Sequence, residues 1–138
     1  MIDKKNARAP DYKRSLDRID KGGYCPFCWE NLAKEHKKPI LLQTKHWVVT
    51  ENQFSYKEAR VKLLLIYKEH TNEFLELPEE AWLELRDIYK KIISKFKLRG
   101  SSFFSRQGDT KYTGGTVKHL HFHIIAGDGK KEVLVRVG

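Results

Sequence analysis

This sequence predicts an α+β fold: an antiparallel sheet of about five strands with one long packed helix and one short helix. Three features carry that expectation. Short runs of β-branched and apolar residues outnumber helical patterns. Hairpin-length connections dominate late in the chain. One long segment keeps a helical period. At 138 residues the chain has the length of one domain. Residues 22–138 read as that domain, and residues 1–21 as a basic, poorly packed arm with a short helix around Asp11–Ile19.

"PILLQTKHWVVTEN" (39–52) reads as one or two strands and "ARVKLLLIY" (59–67) as another, because both are rich in apolar and β-branched residues. "SSFFSRQG" (101–108), "TVKHLHFHIIAG" (116–127) and "KEVLVRV" (131–137) complete the set, and "DTKYTGG" (109–115) is turn-rich. The long helix is "LPEEAWLELRDIYKKIISKFKLRG" (77–100). Its Trp82, Leu85, Ile88, Tyr89, Ile92, Ile93 and Phe96 recur at three- and four-residue steps and make one apolar face. Glu79 and Glu80 near its start, and Lys95, Lys97 and Arg99 near its end, complement the helix dipole. Gly100 suits its end. "ENLAKEH" (30–36) is the short helix.

The formal charge of +9 favours an anionic partner, whether nucleotide, nucleic acid or anionic membrane, and equally suits an ordinary solvated, lysine-rich surface. No apolar run approaches the roughly 20 residues of a membrane helix, and the longest is "LLLI" (63–66). The polar N-terminus lacks the apolar core of a secretory signal, so a cytoplasmic protein with no membrane partner is expected.

Chemistry concentrates in two places. "KHLHFHII" (118–125) places His119, His121 and His123 at alternate positions. Alternation in a strand puts these three on one face and Leu120, Phe122 and Ile124 on the other. The outer two histidines lie roughly 13 Å apart along a strand, too far to share one metal easily. The second place is "CPFC". Cys25 and Cys28 form half of a tetrahedral zinc site, which His70 and His119 are placed to complete, with His36 and His46 as alternative ligands. A redox pair and unmetallated thiols are the other readings of the cysteines.

"HLHFHII" resembles the His-φ-His-φ-His-φ-φ signature of the histidine-triad nucleotide-binding family, where φ is an apolar residue. "GGTVKHLHFH", "LLLIYKEH" and "CPFC" resemble further segments of its zinc-containing branch, in the family's order, over roughly residues 25–127. The chain departs from the family pattern at Val61-Lys62, at Tyr67 in place of a proline, at Gly115 in place of a frequent glutamine, and in a longer loop at 53–60.

The resemblance implies a nucleotide hydrolase with a structural zinc, acting on phosphoramidates, adenylyl conjugates or dinucleoside polyphosphates. In that scheme His121 attacks the α-phosphorus to give a nucleotidyl-histidine, the His119 carbonyl fixes its tautomer, and His123 binds phosphate or protonates the leaving group. Histidine at the third position, where the transferase branch has glutamine, favours hydrolysis. Gly114, Gly115 and Thr116 resemble the phosphate-contacting segment. Gln107 resembles a side chain near the phosphates or leaving group, and Asn52 one near the ribose. The resemblance also implies a purine nucleotide and a homodimer. The alternatives are a nucleotidyltransferase or phosphorylase on the same scaffold, and a non-catalytic zinc-stabilised module binding nucleotide or nucleic acid.

Overall fold

The computed structural model describes residues 2–7, 9–54 and 56–138. Met1 and Arg8 of the expected arm, and Ser55 of the 53–60 loop, lie outside the described residues. The chain forms α1 (Pro10–Gly22), α2 (Trp29–Glu35), β1 (Ile40–Gln43), β2 (Trp47–Glu51), β3 (Val61–Tyr67), α3 (Glu79–Phe96), β4 (Ser102–Ser105), the single turn α4 (Thr110–Thr113) and β5 (His121–Ala126). The strands pair in the order β1–β2–β3–β5–β4, every neighbour antiparallel. β5 is therefore threaded between β3 and β4, and the connection that makes this possible is α3.

The alternation in β5 decides what each face of the sheet carries. Phe122 and Ile124 point towards α3, joining Trp47, Val49, Leu63 and Leu65 against Leu85, Ile88 and Ile92. The Trp47 indole N–H donates to the Ala81 carbonyl at 2.8 Å, so the largest core side chain is also satisfied in hydrogen bonding. On the opposite face Val48, Leu64 and Ile66 pack on Leu32 of α2. His121 stands opposite Ile66 and His123 opposite Leu64 in the β3–β5 register, so the histidines share this second face.

Four sequence expectations need correction. First, residues 131–137 form no strand, and Leu134 and Val137 are exposed. Both edges of β5 are already paired, so the segment that follows it has no free edge beside it. Second, the histidine strand begins at His121, not at Thr116. Third, the N-terminal segment is not poorly packed: Leu16 and Ile19 of α1 are buried. Tyr12, Leu16 and Ile19 lie at four- and three-residue steps, and this apolar stripe seats the helix on the domain. Fourth, α3 stops at Phe96, before Gly100, because Lys97 takes a left-handed conformation (φ 51°) and the Leu98 amide closes back on the Ile93 carbonyl at 3.0 Å. Among the described residues no helix is long and apolar enough to cross a membrane.

Leu65 is fully buried between the sheet and α3. Leu65→Ala is expected to cost about 2–5 kcal/mol, read as a fall in the urea midpoint. Leu134→Ala in the exposed tail should stay within about 0.5 kcal/mol of wild type.

Candidate active site and metal centre

The turn between α1 and α2 brings Cys25 and Cys28 beneath the start of β5. His119, one bend before the strand, meets them there. The His119 Nε2 lies 2.6 Å from the Tyr67 carbonyl. A carbonyl only accepts, so Nε2 carries the proton and Nδ1 keeps its lone pair. That Nδ1 lies 3.3 Å from Cys25 Sγ, 3.8 Å from Cys28 Sγ and 3.3 Å from His70 Nδ1, and Cys28 Sγ lies 3.4 Å from His70 Nδ1.

All four donor atoms fall within 4.8 Å of one another. Tetrahedral zinc, with bonds of about 2.0–2.3 Å, sets its ligand atoms roughly 3.3–3.8 Å apart. Four of the six donor spacings, 3.3–3.8 Å, fall in that range, and the Cys2His2 set is one that ion takes. Without a cation, burial and the neighbouring Cys25 push the Cys28 thiol up to about 12. A divalent ion reverses the balance, because thiolate is the ligand form. Of the alternative ligands, His36 pairs with the Thr50 hydroxyl at 2.8 Å and His46 with Glu84 at 2.7 Å, both away from the cysteines.

His119 also serves the next histidine. Its carbonyl accepts from His121 Nδ1 at 2.6 Å, which leaves the Nε2 lone pair of His121 for the pocket its ring lines. Burial pushes the His121 pKa down to about 4; the hydrogen bond to the His119 carbonyl opposes this and the Arg106 charge reinforces it. The ring is therefore neutral at pH 7, the form in which imidazole is a nucleophile. His123 is held well below its ordinary value by burial, His121 and Arg106. Its Nδ1 is buried and has no hydrogen-bond partner among the described residues. Such a group calls for a partner from outside the chain, an ordered water or a ligand.

The pocket above the two histidines is lined by Asn52, Gly114, Gly115 and Thr116 among others. Gln107 does not line it. Its side chain accepts from the Phe74 amide at 3.0 Å and donates to Ser105 Oγ at 2.5 Å; that hydroxyl in turn donates to the His121 carbonyl at 2.7 Å. Gln107 thus reaches the histidine strand through Ser105. The amides of Gly114 and Gly115 donate within their own loop, to the Thr110 carbonyl at 2.9 Å and to Thr113 Oγ1 at 3.2 Å.

Sequence reasoning did not single out Tyr12, Phe27 and Arg106 of the pocket, nor Tyr56 beside them. Tyr12 of α1 stacks on Phe54 at 4.5 Å and shares a hydrogen bond with the Thr116 hydroxyl. Phe27 sets its ring edge-on to His121 at 5.0 Å. Arg106 lines the pocket beside His123, and Tyr56 bonds to Arg106. The Tyr12–Leu16–Ile19 spacing could have signalled the first; nothing local marks Arg106.

Residues 33–130 match the HIT domain family, and the chain belongs to it. Both cysteines and α1 lie outside that match. An uncharacterised HIT-like protein of Helicobacter pylori is 27% identical over 71 residues, 51% of this chain and 68% of the relative. A HIT family hydrolase from Clostridium thermocellum is 27% identical, with a TM-score of 0.58 over 80% of this chain and 96% of that one. A zinc-bound histidine triad protein from Mycobacterium smegmatis shares the fold at 17% identity, with a TM-score of 0.62 over 83% of this chain and 82% of that one.

Purified without chelator, the protein is expected to carry about one zinc per chain, the content of a closed four-ligand site. Cys25→Ser should lower both the metal content and the thermal midpoint, read by elemental analysis and calorimetry. A metal-free protein of unchanged stability would remove the centre.

Proposed function

We propose that this protein hydrolyses nucleotide conjugates through a covalent nucleotidyl intermediate on His121. The single observation that carries the reading is the His121 Nδ1 to His119 carbonyl bond at 2.6 Å, which fixes the tautomer and aims a neutral Nε2 into the pocket. Family membership and the likeness to a HIT family hydrolase from Clostridium thermocellum support it.

In the first step His121 Nε2 forms a bond to the α-phosphorus as the bond from phosphorus to the leaving group breaks. The leaving group takes the electron pair. An anionic substrate would raise the proton affinity of the neighbouring His123, which lets that ring bind a phosphate oxygen or pass a proton to the departing atom. In the second step water attacks phosphorus and gives up a proton to solvent as the P–N bond breaks, nucleoside monophosphate leaves and His121 regains its lone pair. A zinc held by Cys25, Cys28, His70 and His119 would act as a brace, fixing the residue whose carbonyl aims the nucleophile; the likeness to the zinc-bound Mycobacterium smegmatis protein supports that ion.

His121→Asn is expected to lower turnover of adenylyl substrates by roughly a thousandfold or more. In rapid-quench labelling, wild type should retain nucleotide on the protein and the variant none. Unchanged hydrolysis by the variant would falsify the nucleophile assignment. A nucleoside diphosphate formed on adding inorganic phosphate would instead identify a phosphorylase.

A further inference from the structure

Arg106 is a half-buried cation with no carboxylate within ion-pair distance among the described residues. It lines the same pocket as His121, His123 and Thr116. Partly desolvating a guanidinium without a counter-charge is unfavourable, and the state that relieves it contains an anion.

The side chain is held in place. One terminal nitrogen donates to the Thr113 carbonyl and the other to the Tyr56 hydroxyl at 3.3 Å. Its guanidinium carbon lies 5.6 Å from the centroid of the Phe104 ring, and Phe104 stacks on His123 at 4.7 Å with the planes 11° apart. Arginine, ring and histidine therefore form one stack on the His123 side of the site. Tyr56 takes a positive φ of 62°, a costly conformation for a tyrosine, and in it the hydroxyl meets Arg106.

Gly115 borders this arrangement. A Cβ there would lie 3.4 Å from Arg106 Cδ and 3.4 Å from Thr113 Oγ1, in ordinary contact with both, so the arginine stem packs directly against this glycine. The two hydrogen bonds use only part of the guanidinium's donor set. The remaining N–H groups suit bidentate binding of phosphate oxygens. The glycine amides next to it are already engaged within their loop, which leaves Arg106 as the ready anion-binding group on this side.

We infer that Arg106 grips the phosphate beyond the reacting phosphorus, so that the site selects nucleotides whose leaving group is itself a phosphate chain over nucleoside phosphoramidates with an amine leaving group. This rests on the nucleotide reading of the pocket and names its substrate class: nucleoside and dinucleoside polyphosphates.

Two readouts test it on wild type, Arg106→Gln and Arg106→Lys. The first is kcat/KM for diadenosine tetraphosphate and for adenosine 5′-phosphoramidate. In Arg106→Gln the ratio of the two values should fall about tenfold or more in disfavour of the tetraphosphate, the scale of a lost charge-assisted bond, and Arg106→Lys should recover part of it. The second is calorimetric binding of AMP and ADP at fixed ionic strength. Wild type should bind ADP more tightly, and Arg106→Gln should bind the two alike.

Equal losses on both substrates would place Arg106 on the reacting phosphate or in the fold and overturn the inference, as would no change on either. If wild type turns over neither substrate, the hydrolase reading fails by itself, and the AMP–ADP contrast still decides the role of Arg106.

Discussion

His119 is bonded at both ends, and the site depends on that. Its ring donates to the last residue of β3 through the Tyr67 carbonyl and presents Nδ1 to two thiols and His70. Its own carbonyl holds His121 Nδ1–H. One residue thus ties the cysteine–histidine cluster to the His121 ring over a two-residue separation. A shift in the His119 ring would move its carbonyl with it, so the cysteine–histidine cluster and the orientation of the His121 ring are mechanically coupled. The arrangement also explains why β5 begins only at His121: the backbone at His119 is turned to meet the cysteines, and the ladder starts once that turn is complete.

The second constraint is the central position of β5. Pairing with β3 on one side and β4 on the other makes the histidine strand one of the most buried in the sheet. Burial keeps His121 and His123 neutral, and the rigid ladder fixes their spacing, with ring centroids 5.1 Å apart. The topology has a consequence at the C-terminus as well. The apolar residues of 131–137 look like a strand by composition, yet the sheet offers them no edge beside β5.

The pocket is closed by a segment distant in sequence. The Asp3 amide donates to the Thr116 carbonyl at 2.8 Å, the Asn6 side-chain amide donates to the Gly115 carbonyl at 2.7 Å, and Thr110 Oγ1 donates to Asp3 at 2.9 Å. These bonds staple the N-terminal segment to the 110–116 loop and deliver Tyr12 to Thr116. This wall, like the cysteine pair, lies outside the family match at 33–130.

Most of the sheet, the long helix, the cysteine–histidine cluster and the histidine face were legible in the sequence. The strands and the helix are written in contiguous residues, as alternation at 121–123 and a helical period at 82–96, whereas the cluster is marked locally only by the two-residue gap between Cys25 and Cys28. What those patterns could not contain is the meeting of residues separated by tens of positions. Tyr12 reaches Thr116, Arg106 stacks towards His123 through Phe104, and Gln107 turns from the pocket to Ser105 because the closed chain places their partners there. Local periodicity follows from backbone geometry and is written in neighbouring residues. Which strand edge is free, and which cation lacks a counter-charge, is decided only when the whole chain has packed.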